Sequence, residues 1–147
     1  AFREGEGQYI HQQGPAPQQL AADGVGHVLA QLGPTIGACG FSSLAATPAW
    51  LATDTARAFT RAYIKTRDYM NDASASEIAK AEKPLFPDID LEVLTDCIAT
   101  YQAMGCWTRH IDITQEGYDA MLDIFEYDGK LPHRYSYHQV CAPPPAI

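Results

Sequence analysis

Four segments after residue 47 repeat apolar side chains at helical spacing, and this pattern constrains the fold more than any other feature. Each segment opens at a capping residue and ends at a glycine, a proline or a break in the spacing. The four predicted helices cover 54–71, 74–82, the stretch from Asp88 or Asp90 to Gly105, and the stretch from Thr114 to Gly129. Each helix carries an apolar stripe, and each stripe needs another surface to cover it. The stripe of the helix 54–71 consists of Phe59, Ala62, Tyr63, Tyr69 and Met70.

The first third of the chain has a different pattern, in which short runs alternate with glycine and proline turns. Residues 8–13, 27–32 and 37–43 are predicted strands, and residues 15–22 suit a short helix with proline in its first turn. Strand, short helix and strand in this order are typical of α/β proteins. We therefore expect an α/β fold, with short strands followed by a helix-rich C-terminal half and an extended, proline-rich tail.

This layout leaves more apolar helix surface than three short strands can cover. Two arrangements would resolve the imbalance. The helices pack mainly on each other, or the strands belong to a larger sheet that covers the exposed side of the helices.

The chain carries 18 acidic and 10 basic residues, which gives a formal net charge of −8. This charge repels a phosphate backbone, so we expect no nucleic-acid partner. No apolar run approaches the ~20 residues that a transmembrane helix needs. The sequence opens at Ala1, without an initiator Met or a charged-then-apolar leader, and this predicts a processed or truncated start.

The spacing of nucleophiles, histidines, cysteines and glycines gives no enzyme signature. Ser42 and Ser43 lie outside a G-x-S-x-G setting. The five histidines lack the grouping that places two imidazoles on one metal ion, and the four cysteines lack a C-x-x-C pair. Buried structural thiols or one disulfide remain open for these cysteines. We expect no catalytic residue, no metal site and no cofactor, and therefore not an enzyme.

Polar and aromatic residues at the ends of the predicted strands form the candidate ligand site. Side chains at alternate positions of the first strand share one face, and the third strand ends in an aromatic ring and two hydroxyls. The candidate ligand-binding residues are Tyr9, His11, Gln13, Phe41, Ser42 and Ser43. Ordinary strand packing is the alternative for the first group, and turn formation or helix capping is the alternative for the two serines.

Several segments in order resemble the NMT1/THI5-like family of substrate-binding proteins, the SsuA/TauA/ThiY type. The first of them reads GQYIHQQGPAPQQL, over residues 7–20. The others are 23–26, 40–47, 58–63, 85–90, 105–107 and 113–118. One departure falls at Gln8, because the family commonly has Gly-Asp-Tyr at this place, and the change leaves open whether the same ligand class is bound.

The resemblance implies part of a type II periplasmic binding protein-like fold, in which residues 1–45 end the second lobe and residues 46–147 return to the first. It implies a small solute (a sulfonate, taurine, nitrate or a pyrimidine-like compound) bound between two lobes and passed to an ABC permease. It also implies a periplasmic or membrane-associated extracytoplasmic location. Two alternatives remain: a thiamine-pyrimidine-synthase-like enzyme, and a helical fragment that forms a homo-oligomer.

Overall fold

The computed structural model describes residues 1–147 and consists of helices joined by irregular segments. Two short 3-10 turns cover Phe2–Glu4 and Lys83–Leu85. The α-helices are α1 (Ala16–Ala22), α2 (Gly33–Ile36), α3 (Pro48–Leu51), α4 (Asp54–Asp72), α5 (Ala75–Glu82), α6 (Leu91–Ala103), α7 (Gln115–Tyr127) and α8 (Tyr137–Val140). No helix is both long enough and apolar enough to cross a membrane.

The predicted α/β class is wrong, because the structure contains no β-strand and the chain is all-α. Residues 8–13, 27–32 and 37–43 are irregular. A strand is stable only when its N–H and C=O groups pair with a neighbouring strand, and short isolated runs have no such neighbour here. Packing does not compensate, since the side chains of Tyr9 and Leu29 are 78% and 75% exposed.

Two predicted capping signals after residue 47 are confirmed, at Ser74 and Thr114. The predicted cap at Asp54 is wrong, because Asp54 is the first residue of α4 and the Thr53 hydroxyl caps that helix instead. Ser74 and Glu77 form the capping box of α5, in which the Ser74 hydroxyl accepts from the Glu77 N–H at 3.3 Å. Thr114 caps α7 by accepting from the Gly117 N–H at 3.1 Å. Beyond α6, Gly105 has the positive φ of 67° that a left-handed C-terminal residue requires.

The chain divides into two compact units, each made of two stretches of sequence. The first unit contains Ala1–Leu32 and Asp72–Trp107, and the second contains Gly33–Asn71 and Thr108–Ile147. The assignment of residues 1–45 and 46–147 to two lobes of a larger protein stays a prediction.

The core of the first unit lies between α5 and α6. Ile78 is the largest fully buried side chain, and Leu94, Cys97 and Ile98 of α6 are at most 3% exposed. Helix α1 packs against α6, and the Gln19 side chain accepts from the Asp90 N–H at the start of α6 at 3.1 Å. The unit is therefore a small helical cluster with α6 at its centre.

Gly14 lies where the chain enters α1 and touches α6 closely. Its N–H donates to the Tyr101 hydroxyl at 3.1 Å. A Cβ at this position would come within 2.7 Å of the Cys97 sulfur and 2.8 Å of the Tyr101 oxygen. The absence of a side chain is what permits this approach.

The second unit is built around α4, α7 and the segments that flank them. Ala56 and Thr60 are the buried residues of α4, and Tyr118 and Leu122 are buried residues of α7. The Tyr118 hydroxyl donates to the Tyr135 carbonyl at 3.0 Å, which ties the chain beyond α7 back to that helix. Burial on α4 thus differs from the apolar face that its sequence predicts, because Phe59, expected in that face, is 45% exposed.

A candidate aromatic ligand groove

The second unit contains a groove of about 370 Å³. One side is formed by Trp50 of α3 and by Phe59 and Tyr63 of α4. The other side is formed by residues 111–113, which precede α7, and by the tail residues 142–145. This volume lies at the lower end of the range that small-molecule sites occupy. We refer to this feature as the aromatic groove.

Three rings form a continuous row along the α3–α4 side of the aromatic groove. Trp50 meets Phe59 edge to face, with ring centroids 6.0 Å apart and planes at 69°. Phe59 and Tyr63 stack one helical turn apart, with centroids at 6.1 Å and planes at 15°. Such pairs hold one another in defined orientations, so the row offers preformed ring surfaces to a ligand.

Two threonine caps place Trp50 next to α4. The Thr47 hydroxyl accepts from the Trp50 N–H at 3.2 Å and starts α3. The Thr53 hydroxyl donates to the Trp50 carbonyl at 2.7 Å and accepts from the Ala56 N–H at 3.1 Å. One side chain therefore ends α3 and begins α4, and it sets the turn that brings Trp50 to Phe59.

Arginine contacts hold the opposite side of the aromatic groove close to α4. Arg67 donates through Nε to the Thr108 carbonyl at 2.8 Å and through Nη2 to the Thr108 hydroxyl at 3.0 Å. Its guanidinium also lies 5.9 Å from the centroid of the Tyr63 ring, a cation–π distance. Arg109 lies 3.4 Å from an Asp68 carboxylate oxygen. Residues 108–113 are thereby anchored along the helix.

Asp112 supplies the negative charge of the aromatic groove. It is the only Asp or Glu among the lining residues, which include no Lys, Arg or His. Its Oδ1 lies 3.4 Å from Nδ1 of His110, and its side chain is 51% exposed. The remaining polar groups are the hydroxyls of Ser42, Ser43, Thr60 and Tyr63. The Thr60 hydroxyl already donates to the Ala56 carbonyl at 2.9 Å.

The tail also lines the aromatic groove. Residues 142–145, which include three consecutive prolines, line it. Helix α8 precedes them, and the Tyr137 hydroxyl donates to the Ile113 carbonyl at 2.6 Å. This hydrogen bond fixes the tail beside residues 111–113.

The six predicted ligand-binding residues fall into three groups. Ser42 and Ser43 line the aromatic groove. Phe41 stacks on Phe125 of α7, with centroids 6.3 Å apart and planes at 14°. Tyr9, His11 and Gln13 are exposed residues of the first unit. Ligand binding by these six residues stays a prediction.

The aromatic row and Asp112 are residues that the sequence analysis did not assign to the site. Phe59 and Tyr63 are four residues apart and were expected to form part of an apolar helix face. Asp112 lies between Ile111 and Ile113, and a charged residue flanked by two apolar ones was the sequence feature that could have indicated a functional carboxylate. Trp50 follows a Thr-Pro helix start, where a ring three residues beyond the cap lies on the first turn.

All four cysteines are free thiols, and they differ in their exposure to solvent. Cys97 is buried and Cys106 is exposed, while Cys39 and Cys141 are half-buried. Burial, with a smaller contribution from the Glu82 charge, raises the pKa of the Cys97 thiol, which keeps this thiol protonated at neutral pH. No group of three or more His, Cys, Asp or Glu side chains is placed to hold a metal ion.

The structure is that of an all-α chain with a groove lined by three aromatic rings and one carboxylate. The chain is similar to "Putative binding protein YtlA" of Bacillus subtilis (strain 168), with 27% identity over 142 residues. The match covers 95% of this chain and 42% of that relative, so the chain spans about two fifths of the relative's length. No family model matches the chain. No solved structure matches it.

The name of this relative agrees with the coarser part of the sequence-based prediction, a binding protein. The narrower resemblance to the NMT1/THI5-like family is not confirmed.

Proposed function

We propose that the chain is a solute-binding component of an ABC importer, and that it binds a small organic solute without altering it. The observation that carries this proposal is the similarity to a named binding protein along 95% of the chain. A preformed groove of about 370 Å³ with three aromatic rings and four hydroxyl-bearing side chains has the composition of a small-molecule site. The predicted solutes are sulfonates, taurine, nitrate and pyrimidine-like compounds.

Thermal denaturation of the purified chain tests the binding function. A solute at 100 times its Kd stabilises the folded state by about 2.7 kcal/mol, and for a chain of this size that raises Tm by roughly 5–10 °C. We expect one of the four solute classes to produce such a shift. Unchanged Tm values across all four classes would contradict the proposal.

Recovery of the solute distinguishes binding from catalysis. After incubation with the chain, mass spectrometry of the released small molecule should show an unaltered compound. A product that accumulates with time, and that disappears when the chain is heat-denatured beforehand, would instead support the synthase-like alternative.

The importer role and the location are tested in cells that carry the gene. Disruption of the gene should reduce uptake of the labelled solute, and re-expression should restore it. Fractionation should place the protein outside the cytoplasmic membrane. Uptake that does not change on disruption would refute the partnership with a permease.

A homo-oligomer is the second candidate, and large apolar side chains on the helices favour it. Phe59 and Tyr69 of α4 and Ile124 of α7 are each 45–46% exposed. Isolated exposed apolar residues also occur on monomers, so the molecular mass in solution distinguishes a monomer from an oligomer. Light scattering over a range of concentrations should show a mass that rises with concentration if these residues form an interface.

A further inference from the structure

We propose that the ligand of the aromatic groove is a planar organic cation with N–H donors, such as an aromatic amidine or a protonated amino-heteroaromatic ring. This inference rests on the proposed binding function and names the ligand class of its site. It selects against the anionic members of the solute classes above.

The charge of the lining residues is the first argument. An anion such as a sulfonate is normally held by Arg or Lys, or by clustered backbone N–H groups. The lining residues of the aromatic groove include no Lys, Arg or His, and Asp112 places a carboxylate in it. An anion would meet that carboxylate in a chain with a net charge of −8, and the nearby Arg67 guanidinium, beside Tyr63, is already bound to Thr108.

The ring row is the second argument. Faces of Trp, Phe and Tyr attract cations through the negative charge of the ring face, and flat ligands also gain from stacking. The row already binds one planar cation of the chain itself, because the Arg67 guanidinium lies 5.9 Å from the centroid of the Tyr63 ring. The same kind of surface continues along Phe59 to Trp50.

The geometry of Asp112 is the third argument. Oδ1 of this carboxylate lies 3.4 Å from Nδ1 of His110, and half of the Asp112 side chain is exposed to solvent. A ligand N–H that donates to this half-exposed carboxylate would form a charge-assisted hydrogen bond, which orients the ligand across the groove. The Ser42 and Ser43 hydroxyls are available for its remaining polar atoms.

Three probes of one size and different charge test the inference: benzamidine as the cation, benzamide as the neutral isostere and benzenesulfonate as the anion. The chain has two tryptophans, so Trp107→Phe leaves Trp50 as the reporter of the aromatic groove. We expect benzamidine to change the Trp50 fluorescence in a saturable way, benzamide to bind at least tenfold more weakly, and benzenesulfonate not to bind.

Asp112→Asn should weaken benzamidine binding about tenfold, equivalent to ~1.4 kcal/mol, and leave benzamide binding unchanged. Phe59→Leu keeps an apolar side chain but removes a ring, and it should weaken both probes. Asp54→Asn is the matched control, because Asp54 is 97% exposed and pairs with Arg57 at the start of α4, outside the groove. An unchanged Tm of each variant shows that it remains folded.

The two proposals fail in different ways. Tighter binding of benzenesulfonate than benzamidine, or an Asp112→Asn variant that binds benzamidine as well as the parent chain, would overturn the cation inference. If a sulfonate, taurine or nitrate also raised Tm, the binding function would stand with a different ligand class. If benzamidine bound as expected but no solute of the four predicted classes shifted Tm, the inference would stand, and the proposed solutes would be wrong.

Discussion

Ile78 lies in the α5–α6 pair with no exposed surface, so Ile78→Ala measures how much that packing stabilises the first unit. The substitution removes three carbon atoms from a buried side chain. At about 0.8 kcal/mol for each buried methylene group, the lost transfer free energy is about 2.4 kcal/mol. Incomplete collapse of the cavity adds to this value, and Leu or Ile to Ala changes in protein cores cost 2–5 kcal/mol in general. We therefore expect a loss of about 3 kcal/mol in the free energy of unfolding.

Urea denaturation followed by circular dichroism at the helix band measures this loss. A cost of about 3 kcal/mol corresponds to a decrease in Tm of roughly 6–12 °C for a chain of this size. The matched control is Ile36→Ala in α2, the same chemical change at a side chain that is 56% exposed. This control should change stability by no more than about 0.5 kcal/mol. Equal losses for the two variants would refute the argument that Ile78 anchors the α5–α6 contact.

Three further predictions concern the stability of the first unit. The Lys83 ammonium donates to the carbonyls of Phe86, Pro87 and Ile89 at 3.1, 3.0 and 2.7 Å. Lys83→Met should therefore lower the free energy of unfolding by about 2 kcal/mol, measured by urea titration, whereas Lys65→Met, at an exposed lysine, should leave it unchanged. Gly14→Ala would place a Cβ 2.7 Å from the Cys97 sulfur and should lower stability by about 1–3 kcal/mol; a neutral effect would show that this approach is not tight. Burial raises the pKa of the Glu82 carboxyl above its usual value of 4.5, because the charged form loses hydration in the folded chain. The protonated carboxyl at low pH therefore costs no stability, and the cost develops as the pH rises from about 4.5 through the raised pKa. Glu82→Gln should therefore be more stable than the parent chain at about pH 7 and equally stable at about pH 3, as measured by denaturation at both pH values.

Helix boundaries could be predicted from the sequence because the interactions that set them are local. The capping box at Ser74 and Glu77 lies within four residues, and so does the threonine cap of α7 at Thr114. The left-handed residues Gly105 and Gly129 end α6 and α7 at the predicted places. These signals work without any knowledge of the rest of the fold.

The strands could not be predicted in the same way, because a strand depends on partners that are distant in sequence. Residues 8–13 have a strand-like pattern, but no other segment of the structure pairs with their backbone. Residues 37–43 are held by a different contact, in which the Gly40 N–H donates to the Gly117 carbonyl at 2.9 Å. This hydrogen bond joins residues 77 positions apart, and the sequence around either glycine contains no pattern that predicts it.

The same distinction explains which part of the candidate site could be predicted from the sequence. Ser42 and Ser43 line the aromatic groove, although the predicted strand end that led to them does not exist. Phe59 and Tyr63 were visible as a helical pair, but a helix face that borders a groove and one that enters a core have the same spacing. Whether such a helix face borders a groove or enters a core depends on the surface that lies opposite it. Here Arg67 donates to Thr108, and the segment after Thr108 contains Asp112, which lines the same groove as the rings. A carboxylate that lines the same groove as three rings gives the proposed site its preference for a cation. Its place there depends on a contact that spans 41 residues of sequence, which no local pattern encodes.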